Sequence, residues 1–176
     1  MSTHNPYELS TAAKAELCKW WGTIHSETAS GQARADRAIL RRASDLNAVA
    51  CTPAYQRLYR RIVAASDGVH WNSFQQDRMA AVVGLLAHVK EDKEKISLPE
   101  AMSCEGGKDN PVSPLRFRRL LDAPDTNALF ISLRRTLPLI GGVVGVLSLT
   151  NDVFGWNEHV QRRWAYDYQW PDNPKN

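Results

Sequence analysis

The chain lacks any apolar run long enough to cross a bilayer. Its longest uncharged stretch, Thr136 to Asn151, has 16 residues and is broken by Pro138 and the pair Gly141-Gly142. A span needs roughly 20 apolar residues. No basic-then-apolar leader pattern opens the chain, because Glu8 and small polar residues occupy its first positions. The expectation is a cytoplasmic protein with no membrane partner. Cysteine is scarce too. Cys18, Cys51 and Cys104 are far apart and form no CxxC pair, so they read as reduced thiols rather than a disulfide framework.

Catalytic motifs are also missing. The histidines are His4, His25, His70, His88 and His159, none four residues from another and none in an HExxH pattern. Gly106-Gly107-Lys108 lacks the rest of a phosphate-binding loop, and no GxSxG turn occurs. The acids are scattered, with no DxD or paired carboxylates suited to nuclease metals. Catalytic residues, a metal site and a cofactor are therefore all expected to be absent. His88 lies at the edge of an apolar helix and reads as a packing residue.

What the chain has is arginine. With 43% hydrophobic and 23% charged residues among 176, it can bury a real core and is not a disordered tail. The net charge is only +3, but 15 of the 22 basic residues are arginine. Seven arginines between Gly31 and Ser66 face only Asp36 and Asp45, and five between Asn110 and Arg135 face only Asp122 and Asp125. Doublets recur at Arg41-Arg42, Arg60-Arg61, Arg118-Arg119, Arg134-Arg135 and Arg162-Arg163. Arginine's planar, multi-donor fork suits phosphate and carboxylate, so this preference points to recognition.

The apolar period is helical nearly everywhere. Ala13, Leu17, Trp20, Trp21 and Ile24 share a face of a first helix, and Ala35, Ile39, Ala43 and Leu46 align in a second over Gly31–Ser44. Thr52-Pro53 and Ser113-Pro114 are helix starts, a capping hydroxyl followed by proline at the first helical position. Ser73 with Gln76 suggests a capping box for an apolar helix through Met79, Val82, Val83, Leu86 and Val89. KEDKEK (90–95) reads as a solvated helix end, and Ser97-Leu98-Pro99-Glu100 as the cap of a short helix. Further helices are expected over about 126–139, 143–155 and 157–169. No alternating run is long enough for a sheet. The fold class is therefore all-α: two small helical bundles, 1–96 and 97–176, joined by a polar linker.

At 100° per residue, Arg34, Arg37 and Arg41 share a stripe opposite Ala35, Ile39 and Leu46. Arg57 and Arg60 lie off the apolar face of their helix, and Arg116 and Arg119 stand opposite Phe117, Leu120 and Leu121. In each doublet one arginine faces outward, while Arg42, Arg61, Arg118 or Arg135 sits at the edge of the core. Exposed arginines are commonly salt-bridged surface, but too few local carboxylates exist to pair these. Unpaired arginine spread over several helices suits an anionic partner, and phosphate backbone is the commonest. Of the tryptophans, Trp20 and Trp21 fall on a core stripe rather than a stacking surface. Two other readings stay open: a helical DNA-binding regulator, and a structural adaptor whose arginines meet acidic partner proteins.

The order of these segments is similar to a known family. KWWGTIH, RAILRRAS, a Thr-Pro-Ala-Tyr helix, VVGLLAHV, SLPEAM, SPLRFRRLLDAPD, LFISLRRTLPLI and DVFGW…QRRWAYDY follow one another. Along nearly the whole chain this resembles the CasB family, the small subunit of the type I-E Cascade complex of CRISPR interference. The resemblance rests most on LRRAS, FRRLL, LRRTL and the closing W…RRW…Y. It implies an all-helical, non-enzymatic protein in two bundles, present as a head-to-tail pair among the backbone and large Cascade subunits. It implies contacts to the crRNA guide, the target DNA and the displaced single strand that stabilise the R-loop. Carried over residue by residue, Arg37, Arg41, Arg116, Arg119 and Arg134 are the implied contacts. Arg42, Arg135, Arg162 and Arg163 follow, as contacts or as bridges between helices.

Overall fold

The computed structural model describes residues 5–68 and 70–172. Ten α-helices make up nearly all of its regular structure: α1 (Thr11–His25), α2 (Gly31–Arg42), α3 (Leu46–Ala50), α4 (Pro53–Ala65), α5 (Ser73–Leu86), α6 (Leu98–Ala101), α7 (Pro114–Leu121), α8 (Thr126–Thr136), α9 (Val146–Phe154) and α10 (Glu158–Asp167). Two short strands, β1 (Glu91–Asp92) and β2 (Val143–Val144), pair in parallel. The chain is all-α in class. Among the described residues no helix is long and apolar enough to cross a membrane.

The helix starts follow local chemistry. The side chains of Ser10, Ser30, Asp45, Thr52, Ser97, Ser113, Asp125 and Asn157 each accept a hydrogen bond from a first-turn backbone N–H. Such caps satisfy donors that the helix itself leaves open. Both Thr52-Pro53 and Ser113-Pro114 open helices as expected, and Ser97 with Glu100 closes a full capping box. The box at α5 sits one residue earlier than expected, on Asn72 and Gln75. Asparagine competes equally for that role, so composition does not decide the register.

Helix α5 is the axis of the molecule. Gln75, Arg78 and every residue from Met79 to Leu86 are buried, and α3, α8 and α9 pack around it. Gly84 is what lets two of them in. A Cβ there would lie 2.7 Å from the Phe130 ring and 2.9 Å from a Val49 methyl. One hydrophobic cluster runs from Leu9 to Tyr168 through both halves of the sequence.

Several local expectations are corrected. Helix α2 buries Ala33 and Leu40 and leaves Ile39 40% exposed. Helix α2 packs on one side only, so one of the adjacent Ile39 and Leu40 is taken inward, and the alanines around them give no strong preference. Leu46 belongs to a separate helix, α3, with its own Asp45 cap. KEDKEK is not a helix end: Glu91 and Asp92 form the strand beside Val143–Val144. The helix expected to 139 stops at Thr136, and a 3₁₀ turn through Pro138 leads to left-handed Gly141 and Gly142.

Candidate nucleic-acid interface

Rotation of α2 changes the role of its arginines. Ala33, Arg37 and Leu40 now share the inward stripe, so Arg37 is half-buried rather than outward. Its Nη1 donates to the Ile24 carbonyl at the end of α1, at 3.5 Å. Helix α8 shows the same pattern. Leu129, Phe130, Leu133 and Thr136 are buried, Arg134 lies half-buried one turn beyond Phe130, and Arg135 is exposed. The expected order of that doublet is reversed. Arg134 Nη2 donates to the Arg41 carbonyl at 3.2 Å, capping α2.

A third cap completes the junction. His25, the last residue of α1, stacks on Trp21 with ring centroids 4.9 Å apart. Its Nε2 lies 3.3 Å from the Leu86 carbonyl at the end of α5 and donates to it. Helix ends α1, α2 and α5 thus meet, each capped by a basic side chain from a neighbouring helix. Burial lowers the His25 pKa, the Leu86 carbonyl opposes this, and Arg37 and Arg41 add to the lowering, which brings it to about 4. Burial also lowers His88 to about 4, with Arg134 and Arg41 adding to the effect. Arg41 is therefore electrostatically close to both histidines, and both are neutral near pH 7.

The charge balance at this junction is positive. Each helix C-terminus carries roughly half a negative charge, which accounts for holding Arg37 and Arg134 against carbonyls. Arg41 and Arg42 are exposed, as is Arg135 in the last turn of α8. Among the described residues the ion pairs are Arg57–Asp36, Arg61–Glu16, Lys93–Glu91 and Arg163–Asp152. None of the arginines at the junction has a carboxylate partner there. The Nε of Arg134 and the Nε2 of His88 are buried without a protein hydrogen-bond partner.

The remaining sequence-predicted arginines divide. Arg57 is tied to Asp36 at 2.8 Å, and Arg163 to the buried carboxylate of Asp152, which also accepts from Trp164 Nε1. Those two brace helices. Arg34, Arg60 and Arg162 are exposed without an ion pair among the described residues. On α7, Phe117 and Leu120 are buried while Arg116, Arg118 and Arg119 are all exposed. The core-edge expectation is thus corrected for Arg42, Arg61, Arg118 and Arg135. Each is offset from its doublet partner by only 100°, and a long side chain there reaches solvent.

Sequence reasoning gave no binding role to Arg118, and no role to His25 as a helix cap or to Arg78. Arg118 was legible in principle, since two core residues suffice to anchor an eight-residue helix and the other side chains are left outside. Arg78 sits in the core of α5, donating to the carbonyls of Phe154 and Trp156 and lying 4.0 Å from the centroid of the Phe74 ring. It ties the end of α9 to the axis and faces no surface. His4 lies outside the described residues.

Residues 36–168 match the family model of the CRISPR-associated protein Cse2. No curated protein matches the chain. Among solved structures, a chain in the crystal structure of E. coli Cascade bound to a PAM-containing double-stranded DNA target aligns with a TM-score of 0.63. The alignment is 20% identical and covers 86% of this chain and 92% of that one. A Cse2-family CRISPR-associated protein from Thermus thermophilus aligns with a TM-score of 0.65 at 24% identity, over 89% of this chain and 96% of that one. These likenesses show the fold.

Proposed function

Because the chain belongs to the Cse2 family of CRISPR-associated proteins, we propose that it is a non-catalytic subunit of a Cascade complex. In this reading it holds nucleic-acid backbone on arginine-bearing helix ends. The observation that carries the reading is the junction of α1, α2, α5 and α8, where Arg41, Arg42 and Arg135 project from a site without a carboxylate partner. A chain of similar fold in an E. coli Cascade structure with bound DNA supports the setting. Its partners would be the crRNA guide, the target DNA, the displaced strand, the other Cascade subunits and a second copy arranged head to tail.

The chemistry fits the task. In RNA-guided complexes base pairing reads the sequence, and the protein adds charge and shape along the backbone. Exchange of duplex for R-loop is nearly balanced, so modest phosphate contacts tip it. Arginines on packed helix ends supply those contacts without reading bases. Arg34, Arg60, Arg116, Arg119 and Arg162 would extend the track, while Arg57 and Arg163 serve the fold.

Binding of single-stranded DNA by the purified protein, titrated against salt, tests this. With about 3–5 phosphates met, log K against log salt is expected to slope at roughly −2 to −4. Joint Arg41→Glu and Arg42→Glu changes should flatten the slope and leave helicity intact. Salt-independent affinity in the parent protein would remove the electrostatic basis of the proposal.

A further inference from the structure

One exposed aromatic belongs to no packing scheme. Tyr166 on α10 is 88% exposed, more than the other exposed large hydrophobic residues. Arg162 stands one turn before it and His159 two turns before it, all on one stripe of the helix, and both are exposed. At 100° per residue, Asp167 lies about 100° to one side of Tyr166, and Glu158, one turn before Arg162, makes no ion pair with it among the described residues.

The other exposed aromatic at this end of α10 is taken up by packing. Trp170 folds back on the last turn, its Nε1 donating to the Ala165 carbonyl at 2.7 Å, and it remains 41% exposed. Its ring meets Phe117 edge-on at 5.6 Å, and Phe117 stacks on Tyr168 at 4.0 Å. These contacts bring α7 beside the end of α10. That cluster lies on the side of α10 that buries Trp164 and Tyr168, about 160° around the helix from Tyr166, so Tyr166 stands apart from it.

We propose that Tyr166, with Arg162, forms a stacking site for the bases of an unpaired nucleic-acid strand. Single-strand sites combine cationic side chains that follow the backbone with aromatic rings that accept base faces of any sequence. A duplex keeps its bases stacked inside and offers the ring nothing. Arg162 and Tyr166 are about 6 Å apart along the helix axis, which suits one phosphate contact and one adjacent base. The inference rests on the nucleic-acid reading above, and it adds base contact to a role otherwise confined to phosphate.

The full-length protein is titrated with oligodeoxythymidylate and with an abasic oligomer of equal length, each at two salt concentrations. Oligodeoxythymidylate is expected to bind about fivefold tighter or more, the low end for one stacked base. Tyr166→Ala should bring its affinity down to the abasic level, and Tyr166→Phe should keep the difference. Circular dichroism melts should be unchanged in both variants. Equal binding of the two oligomers, still weakened by salt, would overturn stacking and leave the backbone reading intact. Failure to bind either oligomer would remove both. A Tyr166→Ala variant that keeps its base preference but changes self-association would make this face a protein contact and overturn the inference.

Discussion

A half-buried histidine beside arginines makes a protein sensitive to mild acid. His25 and His88 are both held near pKa 4, first by burial and then by the neighbouring guanidinium groups. In the unfolded chain each returns to about 6.5. The folded pKa is therefore depressed, so the unfolded state binds more protons in the window between about 6.5 and 4. Stability should be complete above pH 6.5 and fall as pH drops toward 4. Thermal melts between pH 7 and 5 should show that decline, and His88→Gln should make it shallower. An identical slope in the variant would mean that His88 is not the group being protonated. The corrected arginine faces give a second contrast. Arg42→Ala and Arg118→Ala, exposed and unpaired among the described residues, should change unfolding free energy by about 0.5 kcal/mol or less. Asp152→Ala leaves the buried Trp164 N–H without its acceptor and should cost about 1–3 kcal/mol. The arginine doublets themselves were plain in the sequence. Which member faces out was not, because adjacent positions differ by 100° and the capping carbonyls belong to other helices.

At the scale of elements, legibility followed how local the signal was. Ser97 with Glu100, Thr52 with Pro53 and Ser113 with Pro114 set their helix starts within a few residues, and all three were readable. The face of α2 depends on whether Ile39 or Leu40 fits the space left by other helices, and nothing within the helix says so. The close approach at Gly84 is equally non-local. Alanine favours a helix interior by about 1 kcal/mol over glycine, so local reasoning would choose Gly84→Ala as a stabilising change. The tertiary structure reverses the sign. The new methyl would meet the Phe130 ring at 2.7 Å and Val49 at 2.9 Å, and α3 or α8 must shift to admit it. Overpacking of a tight core typically costs about 1–3 kcal/mol. Gly84→Ala is expected to lower the denaturant midpoint, and a raised midpoint would show that the seam between α5 and α8 yields easily.

The whole molecule is organised around an element that sequence order assigns to one half. Helix α5 belongs to residues 1–96, yet α8 and α9 of the other half pack on it. Polar ties cross between the halves as well. Arg78 donates to the carbonyls of Phe154 and Trp156, the Leu46 N–H donates to the Asn127 side chain at 3.0 Å, and the Lys90 N–H donates to the Gly142 carbonyl at 2.8 Å. The division near residue 96 came from the polar run that follows VVGLLAHV. A polar run marks a change of direction as readily as a boundary between folding units. We propose that it separates two halves of one cooperative core. If so, fragment 1–96 exposes the surface of α5 that α8 and α9 would cover, and Arg78 loses the carbonyls of Phe154 and Trp156 that hold it. The lost apolar burial is the larger cost, because it removes much of the core that α5 anchors. The intact chain should then unfold in one transition, coincident by circular dichroism and tryptophan fluorescence. Fragment 1–96 should be poorly helical and prone to associate. Two resolved transitions, or a monomeric fragment with native helicity, would instead place an independent bundle on each side of residue 96.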